Sequence, residues 1–239
     1  MLSSIMNKFK NIKALTFDTG GTVLDWHNGF KRGFEKIKKD YNLKLLPFEL
    51  ANLMREISLK EITAQSSNKL INFDEAHRIA VEKILIEKNI KISDEDKSFI
   101  HHVVPTKLKA WPDFLDAFNQ IKLNYPCISF TLLSNRLVYI NSKANNISWD
   151  LVFSCETLEA YKPNLEAYIK VAKLLQIKTE ECLMVACHSF DLNAAQKAGY
   201  KTAFVKRNKE WGEDTKINID GDYDIVVDNF YDLHAELKN

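Results

Sequence analysis

Four short polar stretches carry the side chains best suited to chemistry: Asp18-Thr19-Gly20-Gly21-Thr22, Ser134-Asn135, Tyr161-Lys162-Pro163 and His188-Ser189-Phe190-Asp191. A carboxylate can act as a nucleophile, and one ahead of two glycines sits beside a turn whose backbone a ligand can approach closely. A lysine holds such a carboxylate ionised, because a nearby opposite charge favours the charged form. Asp191 supplies a second acid for proton transfer or charge balance, and Ser134 and Asn135 supply neutral hydrogen-bonding groups. Each stretch alone also has a plain structural reading. An Asp before glycines forms turns, Ser134 can cap a helix, a lysine before proline is usually solvated, and Asp191 suits the first turn of a helix. Their placement sets them apart, since each lies beyond a short apolar run.

Those runs are Ala14–Phe17, Cys127–Leu133, Leu151–Ser154 and Cys182–Ala186, with Thr202–Val205 and Ile225–Val227 following. Runs of this length bounded by turn residues read as buried strands. Between them lie amphipathic stretches: Asp113–Ile121 with Pro112 at its first turn, Arg136–Ala144, Leu165–Leu175, and Leu192–Ala198 stopped by Gly199. Short apolar strands alternating with helices predict an α/β fold, a Rossmann-like parallel sheet covered on both faces. The interval from about Gly29 to His102 differs. Phe30, Phe34 and Ile37 recur at helical spacing, Phe48–Ile62 and Phe73–Ile86 repeat the pattern, and Asp94–Val103 is a shorter fourth candidate. The chain therefore divides into a core of residues 1–25 and 105–239 and an inserted helical unit of residues 26–104. Ligands of such sheets bind beyond the carboxyl ends of the strands, where the strand order switches, and that is where the four polar stretches fall.

Composition narrows the class. The 239 residues are 46% hydrophobic and 27% charged, enough to bury a sizeable core. Lys and Arg number 33 against 32 acids, so the net charge of +1 gives no general attraction to nucleic acid or to an anionic membrane. No apolar run approaches membrane-spanning length, and Met1–Lys10 lacks the apolar centre of a signal peptide and reads as a short leader. Cys127, Cys155, Cys182 and Cys187 form no CxxC pair, which suits reduced thiols in a cytoplasmic protein.

The four strand-end stretches together resemble the haloacid dehalogenase superfamily over nearly the whole chain. Asp18, Gly21 and Thr22 match its D-x-x-G-T turn, Ser134 its second-strand Ser or Thr, Lys162 its lysine and Asp191 its last acid. The resemblance implies that Asp18 is the nucleophile and that the inserted helices are a cap. Most phosphatases of the superfamily carry a second Asp where this chain has Gly20, and a further acid ahead of the last one. The dehalogenase branch is the nearer match, through Leu133-Ser134-Asn135, Tyr161-Lys162-Pro163 with Tyr168 beyond, and Gly21–Trp26. That likeness implies a 2-haloacid dehalogenase acting on a small-molecule substrate without a cofactor, through an aspartyl ester. Lys162 and Asp191 would serve the nucleophile and the water, Ser134 and the Gly20-Gly21 backbone the substrate carboxylate, and Asn135 and a cap arginine the halide. Arg55 falls at the expected place, with Arg32 and Arg78 as weaker candidates, and the likeness alone carries an expectation of a homodimer. The chain departs from the branch at Gly20, where an aromatic is usual, and at Ala186 and His188, where Ser and Asn are usual. His188 joins the candidate site for that reason, and Phe190, in the same stretch, is placed with it as a substrate-binding candidate. The alternatives are a Mg2+-dependent phosphatase or phosphonate hydrolase and an inactive binding relative.

Overall fold

A computed structural model describes residues 9–65, 70–213 and 217–238. Most of the expected leader Met1–Lys10 lies outside the described residues. Six parallel strands form the main sheet: β1 (Ala14–Phe17), β4 (Cys127–Thr131), β5 (Leu151–Ser154), β6 (Cys182–Ala186), β7 (Lys201–Val205) and β8 (Ile225–Val227). They lie in the order β5-β4-β1-β6-β7-β8. The chain runs from β1 outward through β4 to β5, then crosses back to β6 on the other side of β1. The switch in strand order is therefore at β1, and Asp18 is the residue that follows it. Phe17 pairs in register with Ser129 and with Val185, so the carboxyl ends of β4, β1 and β6 finish side by side.

The central strands β1, β4 and β6 are buried along their whole length, as a sheet covered on both faces requires. Phe17 is fully buried against Phe118, Phe114 and Phe230, with ring centroids 5.8, 6.4 and 6.3 Å away. Burial of such a ring stabilises the fold by roughly 1.5–3 kcal/mol, and here it anchors the residue immediately before Asp18. Helices α5 (Phe114–Ile121), α6 (Asn135–Ala144), α7 (Cys155–Leu158), α8 (Leu165–Leu174), α9 (Ser189–Lys197) and α10 (Phe230–Lys238) accompany the sheet. Ser134, Ser154 and Asn164 cap α6, α7 and α8 through their side chains.

Between β1 and β4 the chain forms α1 (Trp26–Asp40), α2 (Pro47–Thr63), α3 (Phe73–Glu87) and the short α4 (Asp94–Ser98), which runs on through a π-helical turn. Pro47 opens α2 and the Asn72 side chain caps α3. Helix α2 packs against both α1 and α3. The outgoing and returning segments pair as a small antiparallel ribbon, β2 (Leu24–Asp25) with β3 (Lys109–Ala110). The strands and most helices lie where periodicity places them. The ribbon, α7 and α10 have no counterpart in the sequence reading.

Candidate active site

The carboxylate of Asp18 lies at the carboxyl end of β1 and is only 5% exposed. The turn that follows it is closed by Gly21 N–H donating to Leu24 O, and the Trp111 indole donates to Gly21 O at 2.7 Å. Gly21 has φ +95°, and a Cβ there would lie 2.2 Å from Glu210 Oε1. Glycine is thus required both by the left-handed backbone and by a close approach. Gly20 is under no such constraint, since its missing Cβ would meet Arg55 Nη1 at 3.7 Å.

Two sets of groups grip Asp18. On one side Lys162 Nζ is 3.4 Å from Asp18 Oδ1 and 2.7 Å from Asp191 Oδ2, and Tyr168 donates its hydroxyl to Asp191 Oδ1 at 2.6 Å. Lys162 is fully buried and its ammonium lies 4.4 Å from the centre of the Phe130 ring. Burial works against its charge, yet Asp191 and Asp18 outweigh burial and raise its pKa. On the other side, Thr22 donates its hydroxyl to Asp18 Oδ2 at 2.8 Å, and His188 Nδ1 is 3.2 Å from the same oxygen. His188 Nε2 meets Glu210 Oε1 at 2.8 Å, and the Trp26 indole donates to that oxygen at 2.9 Å. Burial alone would raise the Asp18 pKa, but Lys162 and His188 outweigh it and hold the carboxyl far below the ordinary range. Burial also disfavours a charged His188, but Cys187, Glu210 and Asp18 prevail and hold its pKa well above the usual value. Asp191 moves the other way: burial, offset in part by Lys162, raises its pKa.

Arg55 reaches the site from α2. It is buried, donates from Nη2 to Gly20 O at 3.2 Å, and lies 5.5 and 5.9 Å from the Trp26 and Phe73 rings. Its Nε finds no acceptor among the described residues. A buried guanidinium with unused N–H capacity suits an incoming anion. Arg78 stays at the surface on Glu75, and Arg32 is exposed.

The remaining candidates divide. Phe190 stacks on the His188 ring with centroids 5.5 Å apart. Ser134 caps α6 and hydrogen-bonds to Asp74 of α3, whose carboxylate also pairs with Arg136. Asn135 is exposed, with its amide on Glu156 at 3.0 Å and on the Thr157 hydroxyl at 2.8 Å. The structure therefore brings Asp18, Thr22, Lys162, Asp191, Tyr168, His188, Phe190, Gly20, Gly21 and Arg55 together, while Ser134 and Asn135 make their hydrogen bonds outside that network. Sequence reasoning missed Glu210, Trp26 and Asp74. Glu210 lies in the loop after β7, several residues past the strand end, where the search that found the others did not look.

A cavity of about 330 Å3 opens beside His188, lined by Cys187, Phe190, Arg207, Glu210 and Trp211. A larger one, about 820 Å3, lies between Ile71 and Asn72 on one side and Glu156, Tyr161 and Pro163 on the other. None of the groups bound to Asp18 lines it, so size does not mark the reactive centre here. Among the described residues, Cys187, His188 and Glu210 bring three metal-ligating atoms within 4.8 Å of one another. They are hydrogen-bonded to each other, and burial raises the Cys187 thiol pKa.

Comparison with known proteins adds ancestry to this geometry. Residues 15–205 match the family described as haloacid dehalogenase-like hydrolase. The (S)-2-haloacid dehalogenase of Pseudomonas putida is 22% identical, over 83% of this chain and 86% of that protein. The (S)-2-haloacid dehalogenase 4A of Burkholderia cepacia is 23% identical, over 82% and 84%. A defluorinating L-2-haloacid dehalogenase has the same fold, with a TM-score of 0.87 and 26% identity over 95% of this chain and 96% of that one. So does the L-2-haloacid dehalogenase of Xanthobacter autotrophicus with chloropropionic acid covalently bound, at a TM-score of 0.82 and 16% identity over 95% and 99%.

Proposed function

The chain belongs to the haloacid dehalogenase-like hydrolases, and we propose that it is a 2-haloacid dehalogenase that displaces halide from a small 2-haloalkanoate through an ester on Asp18. The observation that carries this reading is the Asp18–Lys162–Asp191 cluster. It is a buried carboxylate kept ionised by an ammonium that also neutralises the second acid. Lys162 balances the charge of the two carboxylates from within the protein, and Gly20 offers no acid to protonate an oxygen leaving group. Halide is a leaving group that needs no proton.

In this reading Asp18 attacks the carbon bearing the halogen, forming the ester C–O bond as the carbon–halogen bond breaks. Arg55, held beside Gly20 and with Nε unused, receives the departing halide or the substrate carboxylate. The Gly20-Gly21 turn and Ser134 are the other groups for the carboxylate, with Asp74 giving way on Ser134. Water then attacks the ester carbonyl and regenerates Asp18. Asp191, whose raised pKa makes it the more basic of the two acids, orients that water. The helices of residues 26–104 act as a cap, and with Asp18 almost fully buried the cap and core separate to admit substrate. Covalently bound chloropropionic acid in the Xanthobacter autotrophicus relative supports the covalent step.

Halide release from chloroacetate, bromoacetate and each enantiomer of 2-chloropropionate, with and without EDTA, tests the reading. Release that survives EDTA and is lost in Asp18→Asn is expected. Release from none of them, with chelator-sensitive hydrolysis of phosphate esters, would replace it by the phosphatase reading.

A further inference from the structure

The two oxygens of Asp18 are held differently. Among the described residues Oδ1 has one side-chain partner, Lys162 at 3.4 Å. Oδ2 has two at shorter range, the Thr22 hydroxyl at 2.8 Å and His188 Nδ1 at 3.2 Å. The direction of the Thr22 bond is set from behind, because the Cys187 backbone N–H donates to Thr22 Oγ1 at 3.0 Å. With a lone pair engaged there, the hydroxyl turns its proton to the carboxylate. His188 is oriented in the same manner. Glu210 Oε1 takes Nε2 at 2.8 Å, Glu210 is held by the Trp26 indole, and Phe190 stacks on the ring. Two donors fixed on one carboxylate oxygen do little for the nucleophilicity of that oxygen. They are placed for charge that develops on it later.

The geometry points to an oxyanion hole built on the nucleophile itself: the Thr22 hydroxyl and His188 Nδ1–H stabilise negative charge on Oδ2 during ester hydrolysis, Glu210 positions the imidazole, and Oδ1 is the atom that attacks the substrate. This rests on the aspartyl-ester reading above and assigns its second half. Water oxygen bonds to the Asp18 carboxyl carbon, and the carbonyl electron pair moves onto Oδ2. Collapse restores the carbonyl and breaks the bond from that carbon to Oδ1, which leaves with the product as its hydroxyl oxygen. One water proton ends on that oxygen and the other passes to solvent, so Asp18 is returned as a carboxylate. The imidazole is a donor throughout. The groups facing it are Asp18, Cys187 and Glu210; Asp18 is uncharged as its ester and the Cys187 thiol is neutral, so the Glu210 carboxylate, 2.8 Å from Nε2, is the charge that keeps the ring protonated in this step.

Rapid quench followed by intact-protein mass measurement, with 2-chloropropionate and EDTA present, separates the two half-reactions. Wild type turns over. His188→Ala forms the ester at close to the wild-type rate and hydrolyses it about 100- to 1000-fold more slowly, so protein carrying one carboxyalkyl group accumulates. Thr22→Val accumulates ester to a lesser degree, and His188→Gln, which restores a neutral donor, recovers part of the rate. Glu210→Gln frees the ring to titrate, so its ester hydrolysis falls as pH rises through the ordinary histidine range, while wild type stays level there. If His188→Ala slows ester formation and accumulates none, or if hydrolysis in Glu210→Gln rises with pH as a general base would make it, the oxyanion assignment is overturned and the dehalogenase reading stands. If wild type forms no ester from any haloacid, the underlying reading fails first and the inference with it.

Discussion

Lys162→Met isolates the contribution of the buried ammonium. Methionine nearly keeps the length and bulk of the side chain, and its thioether remains favourable against the Phe130 ring that the ammonium now covers at 4.4 Å. What is lost is the shared cation between Asp191, 2.7 Å away, and Asp18, 3.4 Å away. Removing one member of a buried ion pair costs about 3–5 kcal/mol, because the partner is left charged and unsolvated. Among the described residues, Asp18 keeps His188 and Thr22, whereas the Asp191 carboxylate keeps Tyr168 alone. The penalty therefore falls mainly on Asp191. Its folded-state pKa already lies above the ordinary carboxylate range because of burial and rises further without the lysine. A carboxyl whose folded pKa exceeds its unfolded pKa penalises the folded state at high pH and ceases to do so as pH falls through the folded value. The loss should be largest near pH 8 and clearly smaller near pH 5. For a chain of this size it corresponds to a fall in Tm of roughly 6–20 °C at the higher pH. Urea unfolding at both values, repeated on Lys162→Met/Asp191→Asn, reads the effect, and the double variant should recover at least half of the loss. A change of less than about 1 kcal/mol at pH 8, an equal loss at both pH values, or no recovery in the double variant would refute the argument.

Gly21→Ala should destabilise by about 1–3 kcal/mol from its left-handed backbone alone and should displace Glu210, whose carboxylate lies where the new methyl must go. Gly20→Ala has ordinary contact distances and no positive φ, and should change Tm by little, as paired thermal melts of the two variants will show. Arg55→Ala removes the buried cation beside Gly20 and should lower kcat/KM for 2-chloropropionate by about 100- to 1000-fold; an unchanged value would remove Arg55 from the substrate site. Asp74→Asn weakens the internal carboxylate held by Ser134 and Arg136 and should lower KM with little change in kcat, whereas an unaltered KM would mean that Ser134 does not meet the substrate carboxylate.

The sheet was readable because strands buried on both faces are written as short apolar runs with turn residues at their ends. Phe30, Phe34 and Ile37 likewise announced α1, and all three are buried there. The ribbon of β2 and β3 has two residues on each side, too few to show any period. Helix α10 did have a signal, since Phe230, Leu233 and Leu237 fall on one buried face, but it begins only three residues after β8. In the site, Asp18, Lys162 and Asp191 were legible because parallel topology brings successive strand ends together. Tyr168 and Arg55 came from the resemblance to the dehalogenase branch, since nothing in helical spacing alone sets them apart from a packing tyrosine or a surface arginine. Glu210 lay beyond that logic: it sits in a loop after β7, and only the path of that loop carries it back to His188. Ser134 shows the converse, for its place at the end of β4 was legible and its partner Asp74, contributed by α3, was not.

The claim that Asp18 itself bonds to the substrate is tested most directly by turnover of 2-chloropropionate in heavy-oxygen water, followed by mass analysis of the peptide that contains Asp18. Attack of water on an Asp18 ester places heavy oxygen in the Asp18 carboxylate, and that label is the predicted result. Heavy oxygen found only in the hydroxy acid, with the Asp18 peptide unlabelled after many turnovers, would mean that water displaces halide directly and would contradict the account.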